Sequence, residues 1–297
     1  MKRFTRPLII LLALVLFGAM AMGSGSDAPA EDSGKKDITT SESESAEEIT
    51  AVSIEEQILL DQDGLLITAK EYVNDSIWGD GIKLLIENNT ETNLGINCNA
   101  TIVNNYMITD LFSASVAAGK KANETVWLSS VELKAAGIEN VGQVELYFHV
   151  YDNDTFESKF NADVAVIKTS VFDQMDTTPD DVGQELFNQN GIRIVGKVVD
   201  ENSFWGTAVL LYLENNSGSN VLVACDDMSI NGFMVTPIFS STVYDGKMAL
   251  DEITIFRNEL EENGITSVDD IELKFHIFNP DTFKTIVDTE PIQFSAK

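Results

Sequence analysis

Apolar and polar residues alternate in short runs along most of the chain, and turn-forming residues separate the runs. In residues 144–151, Leu146, Phe148 and Val150 fall on one face of an extended chain, whereas the positions between them are polar or aromatic. Runs of this period predict β-strands. The first half of the chain is expected to hold strands at Leu65–Tyr72, Ile82–Glu87, Leu94–Val103, Val126–Leu128, Val144–Tyr151 and Phe160–Ile167.

The second half of the chain repeats the first without a gap. Trp78 recurs as Trp205, which sets the repeat length at 127 residues, so residues 57–169 recur as 184–296. A repeat of this length exceeds the unit of a solenoid and matches one independent domain. The chain is therefore expected to contain two copies of one domain.

Turn-forming residues occur where the chain must reverse between antiparallel strands. Asp63-Gly64 precedes the first long strand of one copy and Asn190-Gly191 that of the other, which predicts tight hairpins. Several short strands at this spacing predict an all-β fold of two tandem β-sandwich domains. The expected segments are a signal peptide at 1–21, a disordered acidic linker at 22–53, domain 1 at 54–169, a linker at 170–183 and domain 2 at 184–297.

Each copy is expected to carry one short helical turn. Ser129 and Asn258 are candidate N-cap residues, because each is followed three residues later by Glu. Gly137 and Gly264 are expected to end the turn as glycine C-caps. One helical turn that crosses between two sheets is compatible with a Greek-key sandwich.

Three short motifs in each copy resemble the telokin-like immunoglobulin-fold domains of exported Gram-positive bacterial proteins. They are an apolar strand that ends in Asn-Asn-Thr or Asn-Asn-Ser, a later Gly-Lys turn, and a final long apolar strand. The residues are Glu87–Thr90, Ala118–Lys120 and Val144–Val150, and in the second copy Glu214–Ser217, Asp245–Lys247 and Ile271–Ile277. The resemblance implies that domain 1 at 54–169 and domain 2 at 184–297 are immunoglobulin-like β-sandwich domains. It also implies an extracellular interaction module, and it brings no catalytic residues.

The first residues follow the layout of a secretory signal. Lys2, Arg3 and Arg6 precede an apolar run at residues 8–17, which is shorter than the roughly 20 residues that span a bilayer. We expect cleavage after Ala21 rather than an anchor, and therefore a secreted or cell-surface protein without a stable membrane span. Residues 23–53 are rich in Ser, Thr, Glu and Asp, which predicts a disordered spacer.

The formal net charge of −29 narrows the range of partners. A field of this sign repels nucleic acids and anionic lipid surfaces, and it attracts cations and basic partners. Cys98 and Cys225 occupy equivalent positions, so neither copy can form an internal disulfide. Two buried free thiols are favoured over a bridge between the copies, because Cys is often buried as a small apolar residue.

Two acidic segments, Asp61–Gly64 and Asp152–Thr155, resemble parts of a calcium loop. Their equivalents, Asn188–Gly191 and Asn279–Thr282, keep the turn residues but lose carboxylates. Turns are therefore favoured over calcium sites. One His and one Cys in each copy are also too few to bind zinc, so no metal site and no cofactor are predicted.

Trp78 and Trp205 have two possible roles. Each follows a turn-rich stretch and precedes an apolar strand, which favours a buried plug at the edge of the core. The alternative is an exposed platform for carbohydrate, and exposure of the two rings would favour it. The one further tryptophan, Trp127, becomes Thr254 in the second copy.

No nucleophile motif or assignable acid pair is present, so no catalytic residues are predicted and the protein is not expected to be an enzyme. The leading hypothesis is a non-enzymatic exported module whose two copies bind a protein or cell-envelope partner. A structural spacer and a carbohydrate- or cation-dependent binding module remain the alternatives.

Overall fold

The alternating sequence forms short strands throughout the computed structural model, which describes residues 51–109 and 112–295. The predicted signal peptide and nearly all of the predicted acidic linker lie outside the described residues. Within those two ranges, no helix combines the length and apolar character needed to cross a membrane. The model contains two similar sets of strands, one in each sequence copy.

The first copy contains β1 (Gln57–Gln62), β2 (Leu65–Asp75), β3 (Gly79–Asn88), β4 (Leu94–Val103), β5 (Tyr106–Ile108), β6 (Ser113–Val116), β7 (Lys121–Trp127), α1 (Ser130–Ala135), β8 (Gln143–Asp152), β9 (Ser158–Asn161) and β10 (Ala165–Lys168). A 3₁₀ turn at Phe172–Gln174 follows. The second copy contains β11 (Gln184–Gln189), β12 (Ile192–Asp200), β13 (Gly206–Asn215), β14 (Val221–Ile230), β15 (Phe233–Val235), β16 (Ser240–Val243), β17 (Lys247–Phe256), α2 (Arg257–Glu262), β18 (Asp270–Phe278), β19 (Thr285–Asp288) and β20 (Ile292–Ser295).

Each copy is a two-sheet sandwich. In the first copy, one sheet has the order β1-β2-β3-β7, and β4 and β8 form the centre of the other with short strands beside them. In the second copy, β11-β12-β13-β17 and the β14–β18 pair occupy the corresponding positions. Apolar side chains from both sheets fill each core. The predicted all-β fold, with two immunoglobulin-like sandwiches and one short helix in each, is confirmed.

Four predicted strands are confirmed: Leu65–Tyr72 lies in β2, Ile82–Glu87 in β3, Leu94–Val103 in β4 and Val144–Tyr151 in β8. The strand predicted at Val126–Leu128 overlaps only the last two residues of β7. The single strand expected at Phe160–Ile167 is wrong, because β9 and β10 pair with different parts of β8. Asn161 lies opposite His149, whereas Ala165 lies opposite Leu146. The strands β1, β5 and β6 were not predicted; β5 and β6 have only three and four residues, which are too few to show a period.

The hairpin turns follow the prediction. Asp63 and Gly64 have φ angles of 49° and 83°, and Asn190 and Gly191 have 56° and 77°. Two consecutive residues of positive φ are the signature of the tight turn that matches strand twist. At Gly191 a side chain is also excluded, because an added Cβ would lie 2.5 Å from the carbonyl oxygen of Asn216.

The two helical turns end alike but begin differently. Gly137 and Gly264 both have a φ of 68°, as the predicted glycine caps require. Ser129 caps α1, since its side chain accepts a hydrogen bond from the backbone N–H of Glu132. The predicted Asn258 cap is wrong, because β17 continues to Phe256 and α2 begins directly at Arg257.

A buried asparagine fixes the crossing between the two sheets of each copy. The side-chain amide of Asn88, at the end of β3, donates to the carbonyl oxygens of Thr92 and Val116, each at 2.8 Å. Its Oδ1 accepts from the backbone N–H of Thr90 at 3.0 Å. Asn215 makes the same three contacts in the second copy. The turn predicted at this motif is therefore built around a side chain that is 1% exposed in the first copy.

The two copies share one sheet. The short strand β5 pairs in parallel with β17, and the Met248 N–H donates to the Asn105 carbonyl oxygen at 2.9 Å. This pairing joins strands of both copies into one 10-stranded sheet. Val195 and Tyr212 of the second copy also belong to the apolar core of the first. The division of the chain at the predicted domain boundaries remains a prediction.

Replacing Asn88 with alanine should destabilise the protein by about 2–4 kcal/mol, because the buried Val116 carbonyl, the Thr92 carbonyl and the Thr90 N–H all lose their bond to this side chain. Urea unfolding followed by circular dichroism measures this change. Asn89→Ala is the matched control, because Asn89 is the exposed neighbour in the same turn. Equal effects of the two substitutions would contradict the proposed role of the Asn88 amide.

Candidate functional site

An exposed aromatic cluster lies at one end of the first copy, between β2 and β3 and at the end of β7. Trp78 is 63% exposed, and its ring stacks on that of Trp127 with centroids 6.3 Å apart. The neighbouring Ile77 is 82% exposed. We call Ile77, Trp78 and Trp127 the first aromatic cluster. The expectation that Trp78 is a buried plug is wrong, because a turn carries it away from the core.

Local hydrogen bonds hold that turn. The Asp75 carboxylate accepts from the backbone N–H groups of Ile77 and Trp78, at 2.8 and 2.9 Å. These two bonds stabilise the ionised carboxylate and lower the pKa of Asp75 below its ordinary value. The apolar residues at the tip therefore project from a turn that polar residues fix.

A glycine makes room for the second ring of this cluster. Gly81 on β3 lies opposite Trp127 on β7, and an added Cβ would come within 2.8 Å of the Trp127 ring. In the second copy the same register pairs Ala208 with Thr254. The tryptophan and the glycine have therefore changed together between the copies, as their contact requires.

The second copy has an aromatic cluster at the equivalent place. Phe204 and Trp205 are 86% and 59% exposed, and their rings meet edge to face at 4.8 Å. Trp205 also meets the ring of Phe256 at 6.4 Å. Phe204, Trp205 and Phe256 form the second aromatic cluster. Although Trp127 has no aromatic counterpart at residue 254, Phe256 supplies a third ring from the same strand.

The residues beside each tryptophan were missed as candidates from the sequence. The signal is present, because Ile77-Trp78 and Phe204-Trp205 are apolar pairs inside polar turn segments. An apolar pair in a turn cannot reach a core unless the turn folds back on it. Contiguous exposed apolar surface of this kind is characteristic of binding sites.

The two histidines lie on the inner strands β8 and β18, and both side chains are partly buried. His149 Nδ1 lies 2.7 Å from Asn161 Oδ1 on β9, and His276 Nδ1 contacts the Asp288 carboxylate at the equivalent place on β19. Among the described residues, no group of three or more His, Cys, Asp or Glu is placed to hold a metal ion.

The acidic turns after β8 and β18 bind their own backbone. Asp152 Oδ1 accepts from the N–H groups of Asp154 and Thr155, at 3.0 and 3.2 Å. Asn279 Oδ1 accepts in the same way in the second copy. These contacts are those of the predicted turns, and they lower the pKa of Asp152.

A phenylalanine in an unusual backbone conformation follows each of these turns. Phe156 has a φ of 61° and is 77% exposed, and Phe283 has a φ of 56° and is 75% exposed. The ring of Phe156 stacks on that of Tyr151, and the ring of Phe283 stacks on that of Phe278. Both copies therefore display one aromatic ring beside a strand rather than within a core.

Cys98 and Cys225 are not joined by a disulfide, and they are differently buried. Cys225 is buried, as expected, whereas Cys98 is only partly buried, so the prediction for Cys98 is wrong. Burial raises the pKa of Cys225 to about 12, with the carboxylate of Asp226 as a smaller cause. Cys98 instead borders a cleft between the two copies, of about 300 Å³.

Charged residues meet at the contact between the copies. Lys247 Nζ lies 2.5 Å from Glu145 Oε1, and the two side chains are 14% and 7% exposed. Glu145 was placed on the outer face of its strand by the sequence pattern, yet the second copy covers it. Nearby, Tyr147 meets Tyr244 edge to face at 4.8 Å.

One carboxylate faces the cleft that Cys98 borders. Asp251 lies on β17 and lines this cleft, and desolvation raises its pKa above the ordinary value. Its Oδ1 accepts from the N–H of Glu252 at 2.8 Å, which only partly offsets the burial. Burial of Asp251 therefore costs more free energy when its carboxyl group is ionised than when it is protonated.

No protein-family model matches the chain, and no curated protein matches it. Similar solved structures include the Salmonella enterica SafA pilin in complex with the SafB chaperone, at 12% identity over 72% of this chain and 88% of that chain, with a TM-score of 0.22. The YadV chaperone is 10% identical over 78% of this chain and 100% of that chain, with a TM-score of 0.24.

A protein of unknown function from Porphyromonas gingivalis W83 is also similar, at 10% identity over 73% of this chain and 89% of that chain, with a TM-score of 0.21. Likenesses with TM-scores this low carry no argument about fold or role. The fold assignment therefore rests on the two sandwiches themselves, and any role must be argued from their surfaces.

Thiol labelling should separate the two cysteines. At pH 8 the raised pKa keeps Cys225 protonated, and a protonated thiol is a poor nucleophile. A Cys98→Ala chain should therefore not react with a thiol reagent when folded but should react when unfolded in guanidinium. A Cys225→Ala chain should react in both states. Rapid labelling of folded Cys98→Ala would contradict the assigned burial.

Asp251→Asn should raise the thermal midpoint at pH 7. Because the folded-state pKa of Asp251 is raised, the folded state takes up protons more readily than the unfolded state. The cost of ionised Asp251 to the stability of the folded state is therefore absent at pH values below the pKa of Asp251 in the unfolded state. This cost grows as the pH rises through the pKa of Asp251 in the folded state. The gain from Asp251→Asn should disappear at acidic pH. A gain that does not change with pH, measured by differential scanning calorimetry, would exclude this cause.

Proposed function

We propose that this chain is a non-enzymatic exported protein that binds a protein or cell-envelope partner through two equivalent aromatic surfaces, one on each copy. The observation that carries the proposal is the exposure of Trp78 and Trp205 at equivalent positions, each with further apolar side chains beside it. An aromatic ring left in water at the same place in both copies has no role in either core.

The chemistry of the clusters fits a partner that buries flat apolar area. Tryptophan and phenylalanine are enriched at the centres of binding interfaces, because they offer large contact areas. Export follows from the signal layout at residues 1–21, and the resemblance to telokin-like domains supports the same location. The negative charge directs the choice of partner away from nucleic acids and anionic membranes.

Two binding surfaces on one chain can raise affinity without any new contact. Once one copy is bound, the other meets its partner at a high effective concentration, and avidity can exceed single-site affinity by about 10²–10⁴-fold. A chain that acted only as a spacer would need neither cluster.

The second candidate, a carbohydrate-binding module, is favoured by the stacked pair Trp78 and Trp127, since flat rings pack against sugar faces.

Tryptophan fluorescence is a direct test, because all three tryptophans of the chain belong to the two clusters. We expect the emission of the full chain to shift to shorter wavelength when isolated cell-wall sacculi are added. The apparent affinity for the sacculi, measured by cosedimentation, should fall by about 10²–10⁴-fold for Trp78→Ala or Trp205→Ala. Binding should be lost in the double variant. Ile58→Ala, an equally exposed apolar residue outside the clusters, is the control.

Protease treatment of the sacculi separates the two candidates. Loss of binding after treatment indicates a protein partner, whereas retained binding indicates the glycan. If the full chain does not bind untreated sacculi, or if the double variant binds as well as the unaltered chain, the proposed function fails and a spacer role is left.

A further inference from the structure

The contact between the two copies uses strand edges that the repeat supplies twice. In the contact within the chain, β5 of the first copy pairs with β17 of the second. By the repeat, β15 is the second-copy equivalent of β5, and β7 is the first-copy equivalent of β17. The chain therefore contains another β5-like edge and another β17-like edge, on opposite copies.

Both of these equivalent strands lie at the ends of their sheets. Among the described residues, β7 ends the sheet β1-β2-β3-β7, and β15 pairs with β14 alone. Two of the three side chains on β15 are uncovered, since Phe233 is 48% and Met234 is 65% exposed. Their equivalents in the first copy are Tyr106, which is buried, and Met107, which packs against the second core.

We propose that β15 of one molecule pairs with β7 of a second copy of this chain, in the way that β5 pairs with β17 within the chain. The occupant of the β15 edge is then the first copy of the next molecule. Because the two edges differ, the contact is heterologous and joins molecules head to tail into open-ended oligomers.

The ion pair of the internal contact is available to the intermolecular one. Lys247 and Glu145 correspond to Lys120 and Glu272, and both equivalents are exposed. A glutamine side chain donates a hydrogen bond to the glutamate in each copy. Gln143 donates to Glu145, and Gln293 donates to Glu272. The β15 side therefore presents a positioned carboxylate, and the β7 side presents a lysine at the matching place.

The intermolecular contact is weaker than the internal one. The Tyr147–Tyr244 ring contact is replaced by Lys274 and Ala117, and no linker holds the second molecule close. The net charge of −29 also makes molecules repel one another. Association is thus expected only at high local concentration.

Sedimentation velocity of the full chain tests the proposal. At physiological ionic strength the mean mass should rise with concentration up to the millimolar range, without stopping at a dimer. Lys120→Glu or Glu272→Lys should each weaken association by about tenfold or more, because like charges then face each other. Lys134→Glu, the same charge change on an exposed helix residue, should leave association unchanged.

Mixing the two charge variants gives a more specific test. Lys120→Glu and Glu272→Lys chains should associate when combined, because each then offers the charge that the other needs, and a chain with both substitutions should associate by itself. Met234→Asp should block association through β15, and circular dichroism verifies that each variant folds. This inference does not rest on the aromatic clusters, so loss of cell-wall binding leaves it intact.

Three results would overturn the proposal. The unaltered chain could stay monomeric at millimolar concentration. Association could persist in Lys120→Glu and in Met234→Asp, which would place the contact elsewhere, including on the apolar N-terminal residues. The mixture of the two charge variants could also fail to associate although the unaltered chain does, which would exclude the head-to-tail charge pair.

Discussion

The carboxamide of Asn88 or Asn215 is the constraint on which the rest of each copy depends. The chain crosses there from one sheet to the other, and a buried crossing must satisfy backbone groups that no strand can pair. One side chain that donates twice and accepts once satisfies three of them. With the crossing fixed, the two sheets keep their register, and the surface residues are free to differ between the copies.

Features set by neighbours in the sequence were predictable. The strands follow from alternation, and the turns at Asp63-Gly64 and the end of α1 follow from positive φ at glycine. Features that depend on residues distant in the sequence were not predictable. Trp78 looked like a core residue because its size is typical of one, but whether a turn folds inward depends on what lies opposite. Glu145 looked exposed because the sequence does not show that Lys247 lies beside it.

The repeat makes these long-range effects visible, because the same position has two different surroundings. Glu145 is buried by the second copy, whereas Glu272 faces solvent. The pair Gly81 and Trp127 in one copy becomes Ala208 and Thr254 in the other, with the same register. The fold tolerates either pair, so the sandwich itself does not fix which residues occupy these two positions.

Phe156 and Phe283 show how a backbone can prepare a side chain for recognition. A bulky residue in the left-handed region costs roughly 1–2 kcal/mol, which glycine would avoid. In return the ring is stacked on one neighbouring ring while most of its surface stays in water. A molecule that covered such a ring would immobilise little that is not already ordered, so the entropy lost on contact would be small.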